Sequence, residues 1–177
     1  MTKSNATSAS TRKSGYTGQG GFVTLNCAVE EDLARIATGL ARVLIPGDVV
    51  FLLGGLGAGK TTLARYLAQA LGVGEDQYVS SPTFALLHEY RGHLPVYHMD
   101  CYRLNDQADV EDAGLMEFLE LDGVTIIEWP ERLGSLAPCN RLDVHIIVDP
   151  EGSRKVILTP YGPIWQARMA QVVHLLH

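Results

Sequence analysis

Apolar runs and amphipathic stretches alternate along this chain, and each predicts an element. "DVVFLL" (48–53) is apolar at almost every position and rich in Val and Leu, which suits a strand buried on both faces of a parallel sheet. "GVTIIEW" (123–129) reads as another buried strand, and "FVTLN" (22–26) alternates as a short strand does. "VEEDLARIATGLARVL" (29–44) sets apolar residues at helical spacing, with acids in its first turn where they complement the helix dipole, and "IPG" (45–47) ends it. A second helix is expected from 59 to 71, stopped by Gly72 and Gly74. "SSPTFALLHEY" (80–90) reads as a loop running into a strand, "LPVYHMDCY" (94–102) as the next strand, and "RGH" (91–93) as the hairpin turn between them. "RLDVHIIVD" and "RKVILTP" flank "PEGS" (150–153), a second hairpin, and "IWQARMAQVVHLLH" is a terminal helix. Strands alternating with helices imply an α/β layered fold with a largely parallel central sheet plus antiparallel hairpins.

Four glycines crowd the junction between strand 48–53 and helix 59–71. Residues 54 to 61 spell G-x-x-x-x-G-K-T, with a further threonine behind: a phosphate-binding loop in the strand–loop–helix setting it requires. Glycines let backbone N–H groups turn inward around a triphosphate, and the helix adds its orphan donors and positive dipole end. The candidate cofactor-binding stretch is therefore Gly55, Leu56, Gly57, Ala58, Gly59, Lys60, Thr61 and Thr62. Lys60 supplies a point charge to the terminal phosphates, Thr61 a hydroxyl to Mg²⁺, and Thr62 reaches the α-phosphate.

Such a loop needs a second acid for Mg²⁺, usually at the end of a neighbouring strand. Asp100 ends "VYHMD" and Glu128 ends "VTIIE", both at the carboxyl edge where ligands of open α/β sheets bind. Strand patterning leaves open which acid holds metal and which handles the attacking water. Ser80, Ser81 and Thr83 in "SSPTF" occupy a position used by switch segments that sense a γ-phosphate. A turn before a strand, fixed by Pro82, explains the same residues without chemistry.

Composition narrows the partners. The net charge of −6 divides into +3 on residues 1–20, with Lys3, Arg12, Lys13 and no acid, and −9 on the remainder. An acidic body argues against direct, tight nucleic-acid binding, which needs clustered Lys and Arg. Residues 1–20 are otherwise Ser, Thr, Gly and Asn-rich and read as a disordered tail, leaving 21–177 as one domain. No apolar run reaches the ~18 residues that span a bilayer. Cys27, Cys101 and Cys139 are scattered, form no C-x-x-C pair, and fit structural thiols in a reducing compartment.

Four blocks, "LLGGLGAGKTTLAR", "SPTF", "VYHMDCYRL" and "IIEWPERL", follow in an order and spacing that resemble the bacterial TsaE family, over roughly residues 22 to 160. The resemblance implies a P-loop NTPase fold, a three-layer sandwich, and a slow, cytoplasmic ATPase using ATP and Mg²⁺. It implies a subunit that works with two actin-like-fold proteins transferring threonylcarbamoyl to the adenosine beside the tRNA anticodon, touching tRNA only indirectly. Carried over residue by residue, it makes Thr61 and Glu128 the metal ligands, Asp100 the catalytic or water-orienting acid beside the γ-phosphate, and Thr83 the switch hydroxyl. Glu30 falls near the family's adenine-side contact and Arg154 near its late nucleotide contact. One departure stands out: Gly55 occupies a position where the family usually has Asp.

A small-molecule P-loop kinase is the alternative. It needs an Arg-rich lid over the transferring phosphate, yet residues 106–122 hold seven acids and no base, in a helical pattern broken at Gly114. A non-catalytic nucleotide switch is a third reading, which would not depend on Asp100. Trp129 is expected to pack the strand end; Arg103, three residues past Asp100, could neutralise phosphate charge like an arginine finger, but a surface pair with the 106–122 acids is favoured. The six histidines lack ligand spacing, with His98 pointing off its strand.

Overall fold

The computed structural model describes residues 21–176; the tail expected over 1–20 lies outside them. The chain runs β1 (Val23–Cys27), α1 (Glu30–Ala41), β2 (Val49–Leu53), α2 (Lys60–Ala70), β3 (Leu87–Tyr90), β4 (Val96–Asp100), α3 (Gln107–Asp112), β5 (Val124–Glu128), β6 (Arg141–Val148), β7 (Arg154–Tyr161) and α4 (Gly162–Leu176). Two 3₁₀ segments, Leu115–Glu120 and Pro130–Leu136, complete it.

Local chemistry sets the helix ends. In α1, the Asp32 carboxylate reaches back to accept from the backbone N–H of Ala28 at 2.8 Å and Val29 at 3.2 Å, using donors that no helix can satisfy internally. The helix stops at Ala41, short of the expected Leu44. Pro46 disfavours the α conformation at Ile45, and Val43 and Leu44 close a turn on the Leu40 carbonyl instead. At the end of α2, Gly72 N–H bonds the Gln69 carbonyl and Val73 N–H the Ala68 carbonyl, both at 3.0 Å. This is a Schellman stop, made possible by Gly72 at φ +90°.

The seven strands form one sheet in the order β1-β7-β6-β2-β5-β4-β3. Its four central strands are parallel, β2 pairing with β6 and β5, and β5 with β4. The expected hairpins, β3–β4 and β6–β7, are antiparallel and flank that core, and β1 adds antiparallel to β7. Alternate residues of β2 face opposite layers. Val50 and Leu52 pack with Leu33, Leu63, Leu67 and Trp165 of α1, α2 and α4. Val49 and Phe51 pack with Val110, Leu115 and Leu133 of α3 and the 3₁₀ segments. A strand covered twice must be apolar at successive positions, which is why "VVFLL" shows no alternation. Truncating Leu67 to Ala would cost about 2–5 kcal/mol through lost transfer and a cavity.

The third layer is thin. Residues 106–122 break at Gly114 as expected, but only the first half is α-helical and the second is 3₁₀. On the opposite face, Arg168 of α4 donates to both Asp48 oxygens, at 2.6 and 2.9 Å, tying that helix to the base of β2. Among the described residues, no helix is long and apolar enough to cross a membrane.

Candidate nucleotide site

The sheet order places the carboxyl ends of β2, β4 and β5 side by side. In register, Leu52 lies beside Glu128, and Glu128 beside Asp100. The glycine loop leaves β2 at that edge and turns into α2. Gly54 cannot be replaced without a clash: a Cβ there would meet the Ile146 carbonyl oxygen at 2.4 Å. Gly59, at φ +111°, is the left-handed cap from which α2 starts, aiming its first-turn N–H groups back over the loop.

A cleft of about 400 Å³ opens above this edge. Leu56, Gly57, Ala58, Gly59, Lys60, Thr61 and Thr62 line one wall; Ser81, Thr83, Asp100, Tyr102, Glu128 and Trp129 line the other. A larger hollow of about 490 Å³, between β1, α1 and the end of α4, contains none of these residues.

Lys60 is buried, and its Nζ donates to the carbonyls of Gly54 at 2.8 Å and Gly55 at 2.9 Å. It also sits 3.9 Å from the centre of the Trp129 ring. Burial pushes its pKa below the ordinary lysine value, opposed by the charges of Glu128, Asp100 and Glu131. Thr61 Oγ1 donates to Glu128 Oε1 at 2.8 Å, so the two expected metal ligands face each other directly. Asp100 Oδ2 accepts from the hydroxyls of Ser81 and of Thr83, the latter at 2.7 Å, while Oδ1 accepts from Tyr102 N–H at 2.9 Å.

The remaining expected residues lie around the cleft. Arg154 Nε donates to the Ala58 carbonyl at 2.9 Å, bracing the loop from behind. Gly55 offers its carbonyl to Lys60, and a Cβ there would meet nothing within 4 Å. Glu30 stands on α1, accepting from Tyr66 OH at 2.9 Å with Arg65 3.5 Å away, and does not line the cleft.

Two expectations need correction. His98 does not point off its strand: it is 1% exposed, with Nε2 2.9 Å from Glu128 Oε1. Period-two alternation carries the signal, since His98 shares a face with Asp100 two residues on. Trp129 packs against the core at the end of β5, as expected, and also lines the cleft, its ring 5.0 Å from Tyr102 and its centre 3.9 Å from Lys60 Nζ. Arg103 lies 4.7 Å over the Phe84 ring of the "SSPTF" loop, a cation–π contact in place of the expected acidic partner. Of the three cysteines, Cys101 is buried and its thiol is pushed up to about 12, mainly by desolvation and then by Asp100, so it is inert at neutral pH.

A family model described as threonylcarbamoyl adenosine biosynthesis protein TsaE matches residues 27–156. The tRNA threonylcarbamoyladenosine biosynthesis protein TsaE of Treponema pallidum is 42% identical over 126 residues, covering 71% of this chain and 92% of that protein. Its Bacillus subtilis counterpart is 38% identical over 140 residues, covering 78% and 84%. Among solved structures, a crystal structure of Bacillus subtilis YdiB superposes with a TM-score of 0.76 at 30% identity, over 89% of this chain and 98% of that one.

Proposed function

The chain belongs to the TsaE family of tRNA threonylcarbamoyladenosine biosynthesis proteins, and from that premise we propose that it is the Mg²⁺-dependent ATP-binding and ATP-hydrolysing subunit of that machinery. The observation that carries the reading is the Thr61–Glu128 contact at the floor of a glycine-loop cleft, with Asp100 on the adjacent strand.

The oxygens fit Mg²⁺. Neighbouring ligands of an octahedral Mg²⁺ stand about 3.0 Å apart when each bond is about 2.1 Å, and the two oxygens here are 2.8 Å apart. Among the described residues, no group of three or more His, Cys, Asp or Glu side chains could hold a metal. A site of two protein oxygens completed by phosphates and water is the usual Mg²⁺ arrangement in nucleotide enzymes. When bound, the ion neutralises charge on the β- and γ-phosphate oxygens.

The residues divide the work. Loop amides and the α2 N-terminus take the phosphates, and Lys60 exchanges the Gly54 and Gly55 carbonyls for the terminal phosphate oxygens. Thr61 and Glu128 hold the metal. Thr83 would turn from Asp100 towards the γ-phosphate, leaving Oδ2, still held by Ser81, one lone pair with which to orient the attacking water. That water's oxygen bonds to the γ-phosphorus as the bond to ADP breaks, and Asp100 accepts the proton. The kinase alternative is disfavoured by the acidic segment: Val110 and Leu115 are buried against the sheet, so it is a packed layer, not a lid.

The functional partners are two actin-like-fold subunits of the threonylcarbamoyl transferase. The test is a pull-down of those purified subunits with ATP, with ADP and without nucleotide, followed by ATPase assays of the mixture. Nucleotide-dependent capture and a raised hydrolysis rate are expected. Partners that neither bind nor change the rate would remove the role in the complex and leave a solitary ATPase.

A further inference from the structure

His98 has no place in the chemistry so far, yet its setting is costly. It is 1% exposed on β4, and its Nδ1 is buried without a hydrogen-bond partner. A valine or leucine would fill this position without that penalty: Val96, two residues earlier on the same face, is fully buried core, and the register partner on β5 is Ile126. What an imidazole adds is reach. Its Nε2 crosses diagonally from Ile126 to Glu128, two residues along, and meets Oε1 at 2.9 Å. A carboxylate only accepts, so the hydrogen of this contact is on Nε2.

The same oxygen also accepts from Thr61 Oγ1. Two donors therefore fix one carboxylate oxygen, one from the cleft wall and one from inside the sheet. Ligation would divert the Thr61 hydroxyl's lone pair and move its hydrogen off Oε1, whereas the His98 bond can persist on the other lone pair of that oxygen. Outer hydrogen bonds of this kind orient metal-binding carboxylates, and losing them typically weakens metal affinity 10–100-fold.

We propose that His98 is a positioning residue that holds Glu128 in its metal-binding orientation, a role that rests on reading Glu128 as a Mg²⁺ ligand. The test is equilibrium binding of a fluorescent ADP analogue to the full chain, without metal and across a Mg²⁺ titration. The wild type is compared with His98→Ala, His98→Gln and His98→Asn. The wild type gains affinity with Mg²⁺. His98→Ala keeps its metal-free affinity within about twofold while its Mg²⁺ midpoint rises roughly tenfold. Gln, whose amide nitrogen reaches the place of Nε2, recovers the midpoint; the shorter Asn does not.

A wild type that gains nothing from Mg²⁺ overturns the reading of Glu128, and the proposal with it. A wild-type midpoint in folded His98→Ala overturns the role of His98 alone. Equal losses with and without metal make His98 a packing residue and also overturn it. If His98→Ala does not fold, the Gln and Asn variants decide, and identical midpoints in that pair overturn the proposal.

Discussion

On one side of the cleft stands the glycine loop, residues 54–62, of which 56–62 line it; on the other stand six side chains drawn from the 81–83 loop, the end of β4 and the end of β5. The first wall offers backbone N–H groups, threonine hydroxyls and one lysine whose hydrogen bonds are local. Lys60 bonds carbonyls five and six residues away. The second wall offers carboxylates already engaged across the sheet: Glu128 by Thr61 and His98, and Asp100 by Ser81, Thr83 and the Tyr102 N–H. Exposed amides of the first wall can be solvated when no nucleotide is bound. The buried carboxylates of the second must trade existing hydrogen bonds, each worth about 1 kcal/mol net, for new ones. On the proposed function, the first wall chiefly binds the nucleotide, and the second holds the metal and acts on what is bound.

The largest expected effect falls on the first wall. Lys60→Ala removes the charge that faces the terminal phosphates, and nucleotide binding should fall by at least about 100-fold, roughly 2.7 kcal/mol. Calorimetry on the variant decides it, and affinity within tenfold of wild type would erase the distinction between the walls. Asp100→Ala should behave oppositely, leaving binding in place and lowering hydrolysis at least tenfold, about 1.4 kcal/mol of barrier. Single-turnover hydrolysis with bound nucleotide separates the two steps, and an unchanged rate would take Asp100 out of the chemistry. Glu128→Ala lies between them, weakening Mg²⁺-supported binding several-fold more than metal-free binding. Equal losses in the two titrations would make it a wall residue only.

The walls also differ in how readily the chain discloses them. The first is contiguous, so its spacing, its preceding strand and its following helix are all visible in one window, and the folded loop follows it residue for residue. The second needs register. Asp100 and Glu128 stand out as acids closing apolar strands, but their adjacency depends on β4 pairing with β5, which no local pattern states. His98 was readable from its spacing of two before Asp100, though its partner on another strand was not. Trp129 was readable as strand-end packing but not as cleft lining, because a left-handed tryptophan before a proline is set by tertiary packing. Likewise the helix expected to run to Leu44, up to Ile45 and Pro46, stops three residues earlier at Ala41, where Val43 and Leu44 turn on the Leu40 carbonyl.

Gly55 supplies the smallest expected effect and the finest test of the division. Its position in the first wall suggests that a side chain there should disturb phosphate binding, yet a Cβ would meet no atom within 4 Å. Its φ lies outside the left-handed region that would demand glycine. What the loop uses is the Gly55 carbonyl, which accepts from Lys60 and from the Ala58 N–H, and a substitution preserves that carbonyl. In water, a carboxylate about 10 Å from a phosphate charge is repelled by only about 0.4 kcal/mol, and less in salt. Gly55→Asp should therefore leave the nucleotide affinity of the free protein within about threefold. A change in ATPase stimulation by the partner subunits, with that affinity intact, would place the residue at a contact surface. A tenfold loss of affinity in the free protein would instead show that the first wall depends on its second residue as well as on its lysine and amides.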